Sequence, residues 1–237
     1  ILSLIESKRK KNLNFWKSKN IKLQIIRSVL SLVESGCFII SFKYLSLADT
    51  HSIGSFTPII IVVLSVIFLK EKVSVKTWIA IFIGFLGVLI IIRPGFTVFD
   101  FKSFIPLSAA FFLGLYQVTT RKVSEYDTTE TSLFYTSMIG LIVASVLAYI
   151  YWQPLISESY IIFLGIGLFF SLGLYFQIIA LSKARASLVQ PFHYTLIFWA
   201  ILLGYLFYNE LPDLLTIMGS VIIVISGIYV LSQRVVE

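Results

Sequence analysis

Long apolar runs alternate with short polar breaks along nearly the whole chain. Eight runs are long enough, or nearly so, to cross about 30 Å of hydrocarbon at about 1.5 Å per helical residue. They are Ser28–Leu47, Ile53–Leu69, Thr77–Ile92, Phe104–Thr120, Thr131–Tyr151, Tyr160–Leu181, Ser187–Tyr208 and Leu214–Leu231. The two-residue alternation of a membrane barrel strand is missing; Ile59-Ile60-Ile61-Val62-Val63-Leu64 is apolar throughout. The many Val and Ile residues do not argue against helix, because a helix in hydrocarbon satisfies its backbone hydrogen bonds within one segment. The pattern predicts an all-α polytopic membrane protein.

Composition sharpens this. The chain is 58% hydrophobic and 13% charged, against about half and about a quarter in soluble domains. Its net charge of +7 would suit a nucleic-acid partner if the basic residues formed one face. Instead Lys8, Arg9, Lys10, Lys11, Lys17, Lys19 and Lys22 share one segment and most others flank helix ends, the habit of cytoplasmic loops. The expected partner is the lipid bilayer, not nucleic acid. Cys37 alone excludes an internal disulfide, and His51 and His193 leave little scope for a histidine metal cluster. No metal or cofactor is expected.

Eight spans alternate sides. With Lys8–Lys22 inside, Lys70–Lys76, Arg121-Lys122, Lys183 with Arg185, and Arg234 also fall inside, whereas the outside loops receive Arg93 and Lys102 at one turn and no Lys or Arg at Trp152–Ser159 or Asn209–Asp213. This places the C-terminus in the cytoplasm. The inside loop Phe68-Leu69-Lys70-Glu71-Lys72 returns as the outside loop Phe207-Tyr208-Asn209-Glu210-Leu211. A five-span unit repeated in tandem must point the other way, so the charge reversal predicts an inverted repeat. Residues 1–122 are expected to hold the remainder of a first repeat plus the first helix of a second. The repeat boundary lies near 95–103, residues 103–237 form the second repeat, and the whole is one membrane domain.

Several short motifs follow in order: Tyr44-Leu45-Ser46-Leu47-Ala48-Asp49, Pro58, Glu71-Lys72-Val73-Ser74, Gly84, Gly87 and Arg93-Pro94-Gly95, then Ala184-Arg185-Ala186-Ser187, Pro191-Phe192-His193-Tyr194, and Glu210 with Gly219 and Gly227. Together they resemble EamA-type transporters of the drug/metabolite transporter superfamily. Asn209–Val224 is similar to the S-adenosylmethionine uptake transporters of that superfamily. The resemblance implies ten helices in two inverted five-helix repeats and a multi-pass protein of a bacterial inner membrane. It also implies that the first helix and most of the second precede Ile1.

Glu34 is the most informative single side chain. An ionised group at that depth costs about 2.5–3.5 kcal/mol on insertion scales. It reads either as a cavity acid that binds a cationic group or carries a proton, or as a carboxyl near the inner interface. Gln190, His193 and Tyr194 share one helix face at i, i+3 and i+4 beside Pro191. Ser55 and Thr57 beside Pro58 are the first-half counterpart, and Tyr116 with Gln117 and Tyr175 with Gln177 mark two further spans. The resemblance places the substrate path among these helices; interhelical hydrogen bonding is the competing role for each. His51 reads as solvated in an outer loop, and Glu71 and Glu210 as helix caps. The expected function is secondary transport of a small polar or amphipathic metabolite, amino-acid-like or nucleoside-like, with a proton or cation as a coupling ion. Lipid translocation or a non-transporting subunit is the alternative. An intramembrane enzyme is disfavoured by the lack of H-E-x-x-H and G-x-S-x-G.

Overall fold

The computed structural model describes residues 16–69, 74–92, 101–152, 159–183, 195–209 and 211–236. Among them every regular element is helical: α1 Ile21–Phe42, α2 Leu47–Gly54, α3 Thr57–Leu69, α4 Val75–Ile92, a 3-10 turn Phe101–Ser103, α5 Phe104–Val123, α6 Thr129–Ile150, α7 Ser159–Lys183, α8 Thr195–Tyr208 and α9 Leu214–Val236. Five stretches are long and apolar enough to span a membrane, and Trp78–Ile91, Phe198–Tyr208 and Leu214–Tyr229 are shorter apolar helices. The chain is an all-α, multi-pass membrane protein.

Two elements depart from the hydropathy pattern, each for a local reason. Helix α1 begins at Ile21, seven residues before the apolar run that starts at Ser28. Asn20 caps it, with Leu23 N donating to Asn20 Oδ1 at 3.2 Å, and Lys22, Gln24 and Arg27 are carried inside the helix. The run Ile53–Leu69 is not one helix. A half-helix, α2, starts earlier because Ser46 accepts from Asp49 N and donates to the Asp49 carboxylate at 2.7 Å, a cap box of the Ser-x-x-acid type. It ends at Gly54, and α3 restarts at Thr57.

Pro58 explains the break. It has no N–H to offer the Gly54 carbonyl four residues back. Thr57 Oγ1 donates to that carbonyl instead, at 2.7 Å, and Ser55 Oγ donates to Ser52 O at 2.5 Å. The carbonyls of a broken helix are thus satisfied by neighbouring hydroxyls, as hydrocarbon requires.

The chain divides into two compact units, Ile1–Val29 with Thr119–Ala184, and Leu30–Val118 with Arg185–Glu237. In the second, Ile53, Phe56, Ile59, Val62, Ala80, Val88 and Ile223 build the core, and α4 packs antiparallel to α9. Glycine permits that approach: a Cβ on Gly87 would stand 2.9 Å from the Gly219 carbonyl oxygen, and one on Gly219 would stand 2.7 Å from Gly87 O. Without a hydrophobic drive between helices, such close contact is the main source of adhesion. At the far end of the pair, Asp213 caps α9 by accepting from Thr216 N at 2.8 Å, and Thr216 Oγ1 donates to Asp49 at 3.1 Å, tying α2 to α9. Asn209, at φ 56°, closes α8 in the left-handed conformation that Asn tolerates. Glu71 and Glu210 lie outside the described residues.

In the first unit α6 contacts α7, where Thr129 Oγ1 donates to Ser182 Oγ at 3.5 Å. Their remaining faces are apolar and exposed, from Leu141 to Ile150 and from Tyr160 to Phe170, which suits contact with lipid.

Gly87→Leu is expected to overpack the α4–α9 contact and to destabilise the detergent-solubilised protein by about 1–3 kcal/mol. Gly140→Ala, where an added Cβ meets nothing within 4 Å, serves as the control with an unchanged melting temperature. Differential scanning fluorimetry of both variants checks the pair.

Candidate functional site

Glu34 sits deeper than its apolar run suggests. Measured from Ile21 it lies between three and four turns along α1, about 20 Å from the helix start. Its carboxylate is partly buried, and its bond is a long one, 3.4 Å, from Ser35 Oγ on the same helix.

Ring packing sets the register of α1 against α2. Phe38 stacks on His51 and Phe42 is tilted against it, with centroids 6.1 and 5.6 Å apart, and the Phe38 ring lies 3.2 Å from where a Gly54 Cβ would be. Glu34 lies one turn before Phe38 on α1, and Phe38 packs on His51 and beside Gly54 near the end of α2. The acid, the helix break and two hydroxyls, Ser55 and Thr57, belong to the same unit. His51 is not in a loop: it lies in α2, where Phe38 and Phe42 partly cover it. Its sequence surroundings, Asp49-Thr50-His51-Ser52, are polar enough to look like a loop, but the Ser46 cap starts the helix ahead of them.

Tyr116 and Gln117 are almost wholly buried in α5. Gly114, one turn earlier than Gln117, lets α5 approach α3; a Cβ there would stand 2.9 Å from Ile60 and 3.1 Å from Leu64. Gln117 thus continues the stripe of α5 that faces α3. Ser55 and Thr57 are buried and both donate to carbonyls near the end of α2, as described. Tyr175 and Gln177 lie on α7 of the other unit, both partly buried, with Tyr175 edge-on to Phe176 at 5.4 Å. Gln190, His193 and Tyr194 lie outside the described residues.

A second cluster of buried polar groups escaped the sequence reading because its first two members precede the apolar run. Arg27 and Gln24 are one turn apart on α1, and both are fully buried. Arg27 Nε donates to Gln24 Oε1 at 3.3 Å; Gln24 Nε2 donates to Asp127 Oδ2 at 2.9 Å. The amide is held between a cation on its oxygen side and an anion on its nitrogen side. Arg27 Nη2 also donates to Ser132 O at 2.5 Å and Thr136 Oγ1 at 2.6 Å, while Asp127 accepts from Ser18 Oγ and from Lys19 N at 2.7 Å. This relay fastens α1 to the start of α6 within the first unit. An i, i+3 Gln/Arg pair following an Asn cap was the signal that could have marked it.

These features define a class: a helical membrane protein with a broken half-helix pair and an acid at mid-span, a construction typical of secondary transporters. The sequence model of the EamA-like transporter family matches residues 1–93 and 103–233, and the chain belongs to that family. It is 30% identical over 175 residues to a riboflavin transporter of Vibrio cholerae, covering 73% of this chain and 59% of that protein. It is 26% identical over 212 residues to a pseudopaline exporter of Pseudomonas aeruginosa, covering 89% and 75%. To an S-adenosylmethionine uptake transporter of Rickettsia conorii it is 26% identical over 183 residues, covering 77% and 62%. The match therefore spans less than two thirds of the riboflavin and S-adenosylmethionine transporters. A solved crystal structure superposes on all of this chain and 85% of its own, with a TM-score of 0.65 at 15% identity, which shows a shared fold.

Gln24→Leu is expected to cut the relay between Arg27 and Asp127 and leave buried polar atoms without partners. The cost is about 1–3 kcal/mol, seen as a lowered melting temperature in detergent. Thr57→Val should cost about 1 kcal/mol through the Gly54 carbonyl, and Thr57→Ser should restore it; the same melting experiment reads all three.

Proposed function

We propose that the protein is a secondary active transporter that moves a small polar or amphipathic metabolite across a bacterial inner membrane by alternating access, and that it is not an enzyme. The observation that carries this is Glu34, a part-buried carboxyl inside the apolar span Ile21–Phe42, in the same unit as the break between α2 and α3. Ionisable groups within spans are costly and typically serve a substrate or ion path, and broken helices at mid-membrane typically form the binding site of inverted-repeat transporters. Family membership supports the same reading. The relatives are named for riboflavin, S-adenosylmethionine and pseudopaline. All three are polar organic molecules of metabolite size, so the substrate class is amino-acid-like or nucleoside-like.

In this reading the two repeats, divided near residues 95–103, rock about a central site. Glu34 neutralises a cationic group of the substrate or carries a coupling proton. Ser55, Thr57, Tyr116, Gln117, Tyr175 and Gln177, with the face formed by Gln190, His193 and Tyr194, supply hydrogen bonds along the path. The loop Lys70–Lys76 and the C-terminus face the cytoplasm, following the distribution of basic residues.

Counterflow in proteoliposomes tests this, with S-adenosylmethionine and riboflavin as first probes after a thermal-shift screen of wider metabolites. Glu34→Gln is expected to lower pH-driven uptake at least about tenfold, a normal size for a coupling free energy, while Glu34→Asp retains part of it. Uptake in Glu34→Gln that still follows the pH gradient would sink the role given to Glu34.

A further inference from the structure

We propose a binding site for an anionic phospholipid in the groove between α4 and α9, with the headgroup at Lys76 and an acyl chain along the groove. The groove has a volume of about 420 Å³. Ala80 and Ser226, both buried, lie within its lining, whereas Ile79, Ile83 and Ile225 are among its exposed apolar residues. Lys76 and Tyr229 belong to its lining at one end.

The shape follows from the helix pair. Gly84 stands against Ser226 and Gly87 against Gly219, so the helices approach closely there. Toward Lys76 a groove is left between them, lined by Ile79, Ala80, Ile83, Ile225 and Tyr229. From Lys76 to Ile83 it runs about 10 Å along α4, a length suited to part of an acyl chain.

The chemistry separates a lipid from the transported metabolite. The lining between the ends is aliphatic apart from Ser226, and its walls are residues exposed on the membrane-embedded surface. A polar metabolite would lose hydration there for one hydroxyl. Lys76 is exposed at the N-terminus of α4, and the exposed Trp78, two residues on, marks the level of the interface. A cation at headgroup level above an apolar groove complements an anionic phospholipid, as basic pockets between membrane helices do. That the lipid belongs to the inner leaflet rests on the orientation proposed above; the binding site does not.

Native mass spectrometry of the full chain in detergent tests the site without reference to transport or orientation. The probes are phosphatidylglycerol and phosphatidylcholine with identical acyl chains. Phosphatidylglycerol is expected to bind about fivefold more tightly, the preference one lysine supplies. Lys76→Gln should abolish that preference, Lys76→Arg should keep it, and Lys102→Gln, remote in sequence at the other end of the pair's span, should leave it unchanged. A second readout covers the groove: Ile83→Trp adds fluorescence that brominated phosphatidylglycerol quenches at lower mole fraction than brominated phosphatidylcholine. Equal binding of the two lipids, a preference that survives Lys76→Gln, or a second copy of the chain seated on α4 and α9 would overturn the proposal.

Discussion

A polar group in hydrocarbon has no water to fall back on, and much of this structure answers to that constraint. Many hydroxyls and amides are spent on the backbone and on each other; Thr50 Oγ1 and Ser52 Oγ, buried without a partner among the described residues, are exceptions. Where Pro58 withholds an N–H, Thr57 supplies an O–H to the abandoned Gly54 carbonyl. Where α2 must begin, Ser46 and Asp49 close the cap, and Asp49 then also takes the hydroxyl of Thr216 on α9. Where Arg27 is enclosed, Gln24 relays it toward Asp127. An unmade hydrogen bond in such surroundings costs more than a made one contributes, so these local pairings decide where helices start, stop and break.

Adhesion between helices comes from a different source. Apolar side chains gain little by leaving lipid for one another, so α4 and α9 meet where side chains are missing, at Gly87 and Gly219, with Gly84 set against Ser226. The same pair then leaves space where the small residues end. Close contact and open groove are two consequences of one spacing of small residues along α4 and α9.

The membrane class and the sites of most helices were legible because lipid solvation demands long apolar runs, and nothing else in the chain imitates them. Cap-determined starts were not legible from hydropathy. Helix α1 reaches back through Arg27 to Asn20 because a side-chain oxygen can start a helix in a polar stretch, and the half-helix α2 hides inside residues that look like a loop. The break was not read from the sequence: Ile53–Leu69 passed as one apolar run although Pro58 lies within it, and the roles of Ser55 and Thr57 in mending it needed geometry. For the site, the sequence singled out Glu34 and Gln117, but only the start of α1 at Ile21 shows how far along the helix Glu34 lies.

That depth separates two kinds of buried polarity. Gln24 and Arg27 are committed to bonds that hold the scaffold, whereas Ser55 and Thr57 have spent their one donor on the backbone and keep only acceptor lone pairs for a ligand. Glu34 differs in kind. Among the described residues its carboxylate has one long bond from the neighbouring Ser35, although it sits near the middle of a span. A group left so weakly satisfied keeps the cost of its burial available to be offset by a proton or a cationic ligand. Stability alone would not retain an acid at that position, since an apolar residue would serve the helix better. Thr50 Oγ1 and Ser52 Oγ on α2 are buried without a hydrogen-bond partner among the described residues, but a carboxylate, unlike a hydroxyl, can be neutralised by a proton or a cation that comes and goes.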